Sequence, residues 1–337
     1  MTEIATLEQK EFTAAIGNAQ ITVGTGKLAM QAGGAVTLQI GDSVLLGTAT
    51  MSRNVREGLD FFPLSVDFEE KMYAAGRIPG SFFRREGRPT TEAILVARLT
   101  DRPLRPLFPK GMRNEVQVIL TTLSSDDVNY LDVMAVNAAS AALTISNIPW
   151  NGPIGAVRVG YIDGQLVANP TIQEMEESTL DLRLAASRDA IIMVEAGADE
   201  VTEEVIVEAL AFGHKAVQPF IDLQLEMQAA VGKEKTEVTI ASDDEALAEE
   251  VKDRLGTRLS ELIARHNDRH ERNEYVDALR EEVVDSFMEE DEEADPKAIR
   301  GVISGEIKKI VRRRILDDKL RPDDRKYDEI RPLAAEV

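Results

Sequence analysis

The chain has no cysteine among its 337 residues, which excludes disulfides, thiolate zinc sites and cysteine nucleophiles together. Aromatic residues make up only 5% of it, so two adjacent aromatics anywhere in the sequence stand out. No apolar run approaches the roughly 20 residues of a membrane-spanning helix. The amino-terminal residues Met1–Lys10 show neither the basic segment nor the apolar segment of a secretory signal. A soluble, cytoplasmic protein with no membrane attachment is the expectation. Bases are scarce too: 39 Lys and Arg stand against 60 Asp and Glu, a formal charge of -21. That balance argues against indiscriminate coating of nucleic acid. It fits an acidic surface serving solubility alone, or one basic aperture on a molecule that repels polyanions elsewhere.

One stretch reverses the trend. From Lys71 to Arg113 there are ten Lys or Arg and three Asp or Glu. Within it, the Gly/Pro-rich segment Gly76–Pro89 carries Phe82, Phe83, Arg84 and Arg85 side by side, and Arg88, Arg98, Arg102 and Arg105 follow. Aromatic faces stack on bases and guanidinium groups grip phosphates, which is how single-stranded nucleic acid is held without its sequence being read. Aromatics are usually buried, but Gly80, Arg84 and Arg85 around this pair place it at the surface.

The length allows two or three domains. Ala19–Val23, Ala35–Ile40 and Val44–Met51 have strand character, with Gly24, Gly26, Gly33, Gly34 and Gly41 as turns. Thr91–Leu104 has helical spacing with Thr90 or Thr91 as cap. Val116–Leu123 reads as a strand, and Leu131–Ile145 as a buried Ala-rich helix with Asp132 its single charge. A second unit follows from about Gly152. It has a hairpin around Asp163-Gly164, a short helix Thr171–Glu177, strands Leu180–Ala185 and Ala190–Glu195, and one long helix from Thr202 to about Val231. This is an α+β pattern. Lys233–Glu237 reads as a linker, after which all is helical. Leu255, Leu259, Leu262 and Ile263 form one apolar stripe, Val276 to Met288 a second, and Ile299 to Ile315 a third, enough for a small bundle. Glu281–Asp295 holds nine acids and no base, a solvated and repulsive face. Arg321–Val337 looks like the opening of a further domain.

Several lesser patterns carry little. Gly24-Thr-Gly-Lys27 lacks the spacing of a phosphate-binding loop and reads as a hairpin turn. His266 and His270 stand four apart on a helix without a third ligand, and read as a solvated pair. Ser124–Asp127 reads as a strand-end turn rather than a metal site.

The Phe82–Arg85 loop with Glu86–Pro89, the run Arg102–Pro109 and the segment Arg321–Leu333 together resemble the bacterial polynucleotide phosphorylase family, along essentially the whole chain. Asp324 stands where a glycine is usual in that last segment. The resemblance implies an RNase PH-like core in two halves, residues 1–150 and 151–232, with mixed sheets packed by helices. An all-α domain over 243–318 and the start of a second core at 321–337 follow. It implies a phosphate-dependent 3′-to-5′ exoribonuclease that degrades single-stranded RNA to nucleoside diphosphates, working as a homotrimeric ring and in places with RNA-degradation partners. Residues matching Phe82, Phe83, Arg84 and Arg85 line the channel neck in that family. Inorganic phosphate and Mg²⁺ act at its second core, through a Gly-Ser-Ser loop and two aspartates followed by a lysine. At the equivalent places here stand Asn129–Asp132, Asp181 and Arg183, with Met175 where a partner aspartate would be. This core reads as a degenerate catalytic site holding no metal. A non-catalytic RNA-binding ring subunit of exosome type, and an acidic scaffold binding proteins through its helices, remain as alternatives.

Overall fold

The computed structural model describes residues 9–336, apart from 57, 58, 60, 81, 241–244, 266, 267, 292 and 293. The chain divides into two compact units, residues 1–241 and 242–337.

The first unit is built on two sheets. One has six strands in the order β1-β2-β3-β4-β6-β5: β1 (Lys10–Ile16), β2 (Ala19–Thr25), β3 (Gly34–Ile40), β4 (Ser43–Met51), β5 (Leu64–Glu69) and β6 (Val116–Ser124). All neighbours are antiparallel except β5, which runs parallel to β6 at the edge. The other sheet has four strands in the order β10-β9-β7-β8: β7 (Gly155–Ile162), β8 (Gln165–Ala168), β9 (Leu180–Ala186) and β10 (Ile191–Ala198). Between them lies α2 (Leu131–Ile145), buried from Val133 to Ile145. Its alanines, and the missing side chains of Gly34 and Gly47, let helix and strands touch. A Cβ on Gly34 would stand 2.0 Å from the Ala142 carbonyl oxygen, an impossible approach. Asn137 clamps α2 to β7 by exchanging two hydrogen bonds with the Ala156 backbone, at 2.9 and 2.7 Å. A buried amide so satisfied costs little and fixes the register of helix against strand.

The helix α1 (Thr91–Leu104) is capped by Thr90, whose hydroxyl accepts from Ala93 N at 3.0 Å. The short α3 (Ile172–Met175) opens with a reciprocal Thr171–Glu174 capping box. The single helix expected from Thr202 to Val231 is two, α4 (Glu203–Ala216) and α5 (Gln218–Val231). Pro219 offers no N–H and ends one ladder while starting the next. The expected linker Lys233–Glu237 is instead part of the unit. Lys233 N and Thr236 N donate to Ile145 O and Asn147 O, and Lys235 Nζ caps the carbonyls of Leu143, Thr144 and Ser146 at 2.8–3.1 Å. Burial pushes that ammonium down to about 8.

The second unit has four helices among its described residues, where the apolar stripes suggested three: α6 (Glu245–Leu255), α7 (Arg258–Arg265), α8 (Arg269–Glu290) and α9 (Pro296–Asp317). Gly256, with φ of 52°, separates the first two. Its core gathers Val251, Leu255, Leu259, Ile263, Val283, Phe287, Ile299 and Ile303. Arg314 ties the tail to this bundle by donating to Ile263 O and pairing with Asp324. Asp324 takes the left-handed φ of 59°, which explains why glycine is usual there. Of the expected His266 and His270 pair, His266 lies outside the described residues.

Candidate nucleic-acid interface

A 3₁₀ turn at Met72–Ala75 ends in Gly76 with φ of 67° and sends the chain into the Gly/Pro loop. The base of the loop is fixed: Met72 N donates to the Glu86 carboxylate at 3.0 Å, and Thr90 Oγ1 donates to Glu70 at 2.7 Å. Among the described residues the tip has no such side-chain anchor. Phe82 is 95% exposed and Phe83 71%, set edge to face with ring centroids 5.5 Å apart. Arg85 lies over the Phe83 ring at 5.3 Å. Arg84 has a φ of 52°, a conformation that a side chain beyond glycine adopts at a cost. A cleft of about 540 Å³ lies against the loop, lined by Lys71, Arg77, Arg85, Arg88 and Glu86 among others.

The eight expected contact residues fall into two groups. Phe82, Phe83, Arg84, Arg85, Arg88 and Arg98 are exposed, and none of the four arginines has a carboxylate partner among the described residues. Arg98 lines a second cleft of about 500 Å³ between α1 and β5. The other two are engaged within the fold. Arg105 pairs with Asp101 at 2.6 Å and donates to Phe62 O and Leu64 O. Arg102 pairs with Glu195 of β10 at 3.2 Å and donates to Val194 O.

Asp181 and Arg183 lie in a different setting, a continuous ion-pair cluster between α2 and the second sheet. Arg158 of β7, with its side chain only 4% exposed, pairs with both Asp132 and Asp181. Its guanidinium stacks on the Tyr130 ring at 3.6 Å. Arg183 pairs with Asp181 at 2.9 Å, Asp132 at 3.2 Å and Glu195 at 3.0 Å. Met175 and Asp181 line a shallow cleft beside it with Tyr130 and Ser178. Arg158 is the residue sequence reasoning missed. An arginine in the middle of the apolar strand Ala-Val-Arg-Val was the available signal, because a buried guanidinium requires carboxylates around it.

The turn preceding α2 is also internally satisfied. The Asp126 carboxylate accepts from Val128 N at 2.9 Å, Asn129 N at 3.0 Å, Ser43 Oγ at 2.8 Å and Asn129 Nδ2 at 2.7 Å. Burial alone would raise its pKa, but these donors outweigh it and hold the group at about 2. Backbone N–H groups that could grip a phosphate oxygen are thus taken by a side chain of the same turn. Asp132 and Asp181 face arginines, and no group of three or more His, Cys, Asp or Glu among the described residues is placed to hold a metal. The carboxylates of this cluster are thus engaged by Arg158 and Arg183.

Comparison with known proteins gives a consistent picture. Residues 19–149 match the 3′ exoribonuclease family, domain 1, and residues 152–216 match domain 2 of the same family. Residues 246–326 match the domain described as polyribonucleotide nucleotidyltransferase, RNA binding domain. A polyribonucleotide nucleotidyltransferase of Heliobacterium modesticaldum is 47% identical over 326 residues, covering 97% of this chain and 46% of the relative. The chain belongs to the polyribonucleotide nucleotidyltransferase family. Members from Lysinibacillus sphaericus and Staphylococcus aureus are 45% and 46% identical, covering 98% of this chain and 47% and 48% of theirs. The chain spans about half the length of the polyribonucleotide nucleotidyltransferases it matches. No described helix is long and apolar enough to cross a membrane.

Proposed function

We propose that this chain is the RNA-holding portion of a phosphate-dependent 3′-to-5′ exoribonuclease that degrades single-stranded RNA to nucleoside diphosphates in the cytoplasm. The observation that carries the reading is the loop tip: two exposed phenylalanines set edge to face, with arginines that have no ion-pair partner among the described residues. Bases stack on Phe82 and Phe83 while Arg84, Arg85, Arg88 and Arg98 hold phosphates. Arg102 and Arg105 shape the platform behind them. In this reading the loop lines the channel of a homotrimeric ring. Phosphate and Mg²⁺ act in a second RNase PH-like core, outside the residues described, because the cluster around Asp181 and Arg183 is neutralised by its own partners. The cation-rich aperture on an acidic molecule admits a strand at one place and repels it elsewhere.

Two measurements on the purified chain test this. Binding of oligo(A) should fall at least about 30-fold in a Phe82→Ala/Phe83→Ala variant, since base stacking contributes roughly 1–3 kcal/mol per base and two rings are lost. An assay with oligo(A), Mg²⁺ and phosphate should release no ADP. Unchanged binding would remove the loop from the RNA path, and phosphate-dependent ADP release would make this core catalytic in its own right.

A further inference from the structure

A cleft of about 1070 Å³ opens in the first unit where β4 ends and β6 begins, walled on another side by the segment 233–239. The base of the Phe82–Arg85 loop hangs from the other end of β6, where Ser125 N donates to Ala74 O. The nine-residue strand therefore sets the cleft and the loop base about 30 Å apart. The walls are fixed by hydrogen bonds. Ser52 N donates to Glu115 O at 2.8 Å, and Ser52 Oγ accepts from Glu115 N at 2.9 Å. Asn147 Nδ2 donates to Thr236 Oγ1 at 2.9 Å, and Lys233 Nζ donates to Ala32 O and Gly33 O. A cleft framed in this way keeps its shape without a ligand. Its charge runs against that of the chain. Arg53, Arg113 and Lys233 line it, and Glu237 is the one carboxylate among its lining residues, in a molecule of charge -21. Arg53 follows β4 and Arg113 precedes β6, neighbouring strands about 4.8 Å apart. Neither arginine forms an ion pair among the described residues. Two guanidinium groups on adjoining strand ends repel one another, and an anion between them removes that repulsion.

We propose that this cleft binds a small phosphorylated polyol, a ligand of the sugar phosphate class. The inference stands apart from the RNA reading. Arg53 and Arg113 hold the phosphate, as guanidinium groups do. The ligand hydroxyls meet Thr50, Asn54 and Thr239 in the walls. Asn114, also in the wall and buried, donates from Nδ2 to Ser52 O at 3.1 Å, while its Oδ1 has no hydrogen-bond partner. A buried acceptor left open calls for a donor, and an O–H of the ligand supplies it. Other occupants fit less well. No aromatic side chain is among the lining residues, so a nucleobase finds no ring to stack on. Met51, Val55 and Val238 are the sizeable apolar side chains present, too little for the anchor of a protein partner. Inorganic phosphate alone would leave most of the space unused.

The test is calorimetric titration of the full chain with ribose 5-phosphate, with ribose, inorganic phosphate and ADP titrated in parallel. Ribose 5-phosphate should bind at one site per chain, at least about tenfold tighter than ribose or phosphate alone. Arg53→Gln/Arg113→Gln should weaken it at least about tenfold, because a hydrogen bond to a charged group is worth about that factor or more. Arg53→Gln alone, at an exposed position, should weaken it severalfold and serves if the double variant does not fold. Arg84→Ala/Arg85→Ala should leave the affinity unchanged. No binding of ribose 5-phosphate at millimolar concentration, or affinity intact in both Arg53 variants, would overturn the proposal. Phosphate binding as tightly as ribose 5-phosphate would reduce the cleft to an anion patch and overturn it. ADP binding tenfold tighter than ribose 5-phosphate would assign a nucleotide instead. Loss of oligo(A) affinity in the Arg53→Gln/Arg113→Gln variant, with ribose 5-phosphate unbound by the parent, would give the cleft to RNA and overturn the proposal.

Discussion

The loop tip at 82–85 and the cluster around Arg158 use the same side chain in opposite ways. Arg84 and Arg85 are exposed and form no ion pair among the described residues, with Arg85 resting on the Phe83 ring and Glu86 beside it, so their charge is open to solvent. Arg158 is sealed between the Tyr130 ring and two carboxylates, so its charge holds α2 to the second sheet and is available to nothing else. The difference teaches that count and type of arginine do not locate a binding surface; the distribution of acids does. Ten bases and three acids surround the loop in sequence, whereas the cluster at Arg158 draws Asp132, Asp181 and Glu195 from separate elements.

The sharpest way to break this comparison is Arg158→Met. Removing one member of a buried charge pair leaves carboxylates facing a dry site, and costs about 3–5 kcal/mol. Arg183 still faces both aspartates, which points to the lower end. Trp150, the one tryptophan and nearly buried in the first unit, reports the unfolding in urea. A loss under about 1 kcal/mol would mean that the cluster is not a structural clamp. Affinity of the folded variant for oligo(A) should stay within twofold.

A smaller effect separates two arginines of α1 and its end. Arg105→Ala removes bonds to Phe62 O, Leu64 O and Asp101, and should cost about 1–2 kcal/mol with RNA affinity unchanged. Arg98→Ala should do the reverse: stability within about 0.5 kcal/mol and several-fold weaker oligo(A) binding. If both changed stability alone, Arg98 would belong with the cluster rather than the loop.

Much of the fold was legible in residue pattern, because α2 is a fifteen-residue apolar run and the hairpin at Asp163-Gly164 carries its turn in its letters. What escaped were features decided by partners distant in sequence. β5 is an edge strand paired in parallel with β6, so no hairpin turn announces it. Lys233–Glu237 has a linker's composition, but its lysines find carbonyls at the end of α2. The break at Pro219 was visible, yet the apolar stripe ran through it on both sides. At the site, exposure of Phe82 and Phe83 followed from their neighbours. The engagement of Arg102 did not, since Glu195 lies 93 positions away from it, whereas the pairing of Arg105 with Asp101 four residues earlier was legible.

Arg314 stands between the two extremes, and Asp324→Gly tests it with the smallest effect of the set. Arg314 is 13% exposed and Asp324 43%, and the pair ties the tail to α9. Glycine would relieve the left-handed backbone at 324, a gain of up to about 1 kcal/mol. It would also loosen the unfolded chain and lose a half-exposed ion pair, each a loss of up to about 1 kcal/mol. With each term at full size the sum is a destabilisation of about 1 kcal/mol, read from the helical circular dichroism of a thermal melt. Asp324→Ala keeps the backbone strain while losing the pair, so it should be the less stable of the two. An Asp324→Gly variant more stable than the parent by over 1 kcal/mol would show that the carboxylate contributes nothing, and would place Arg314 with the free arginines of the loop.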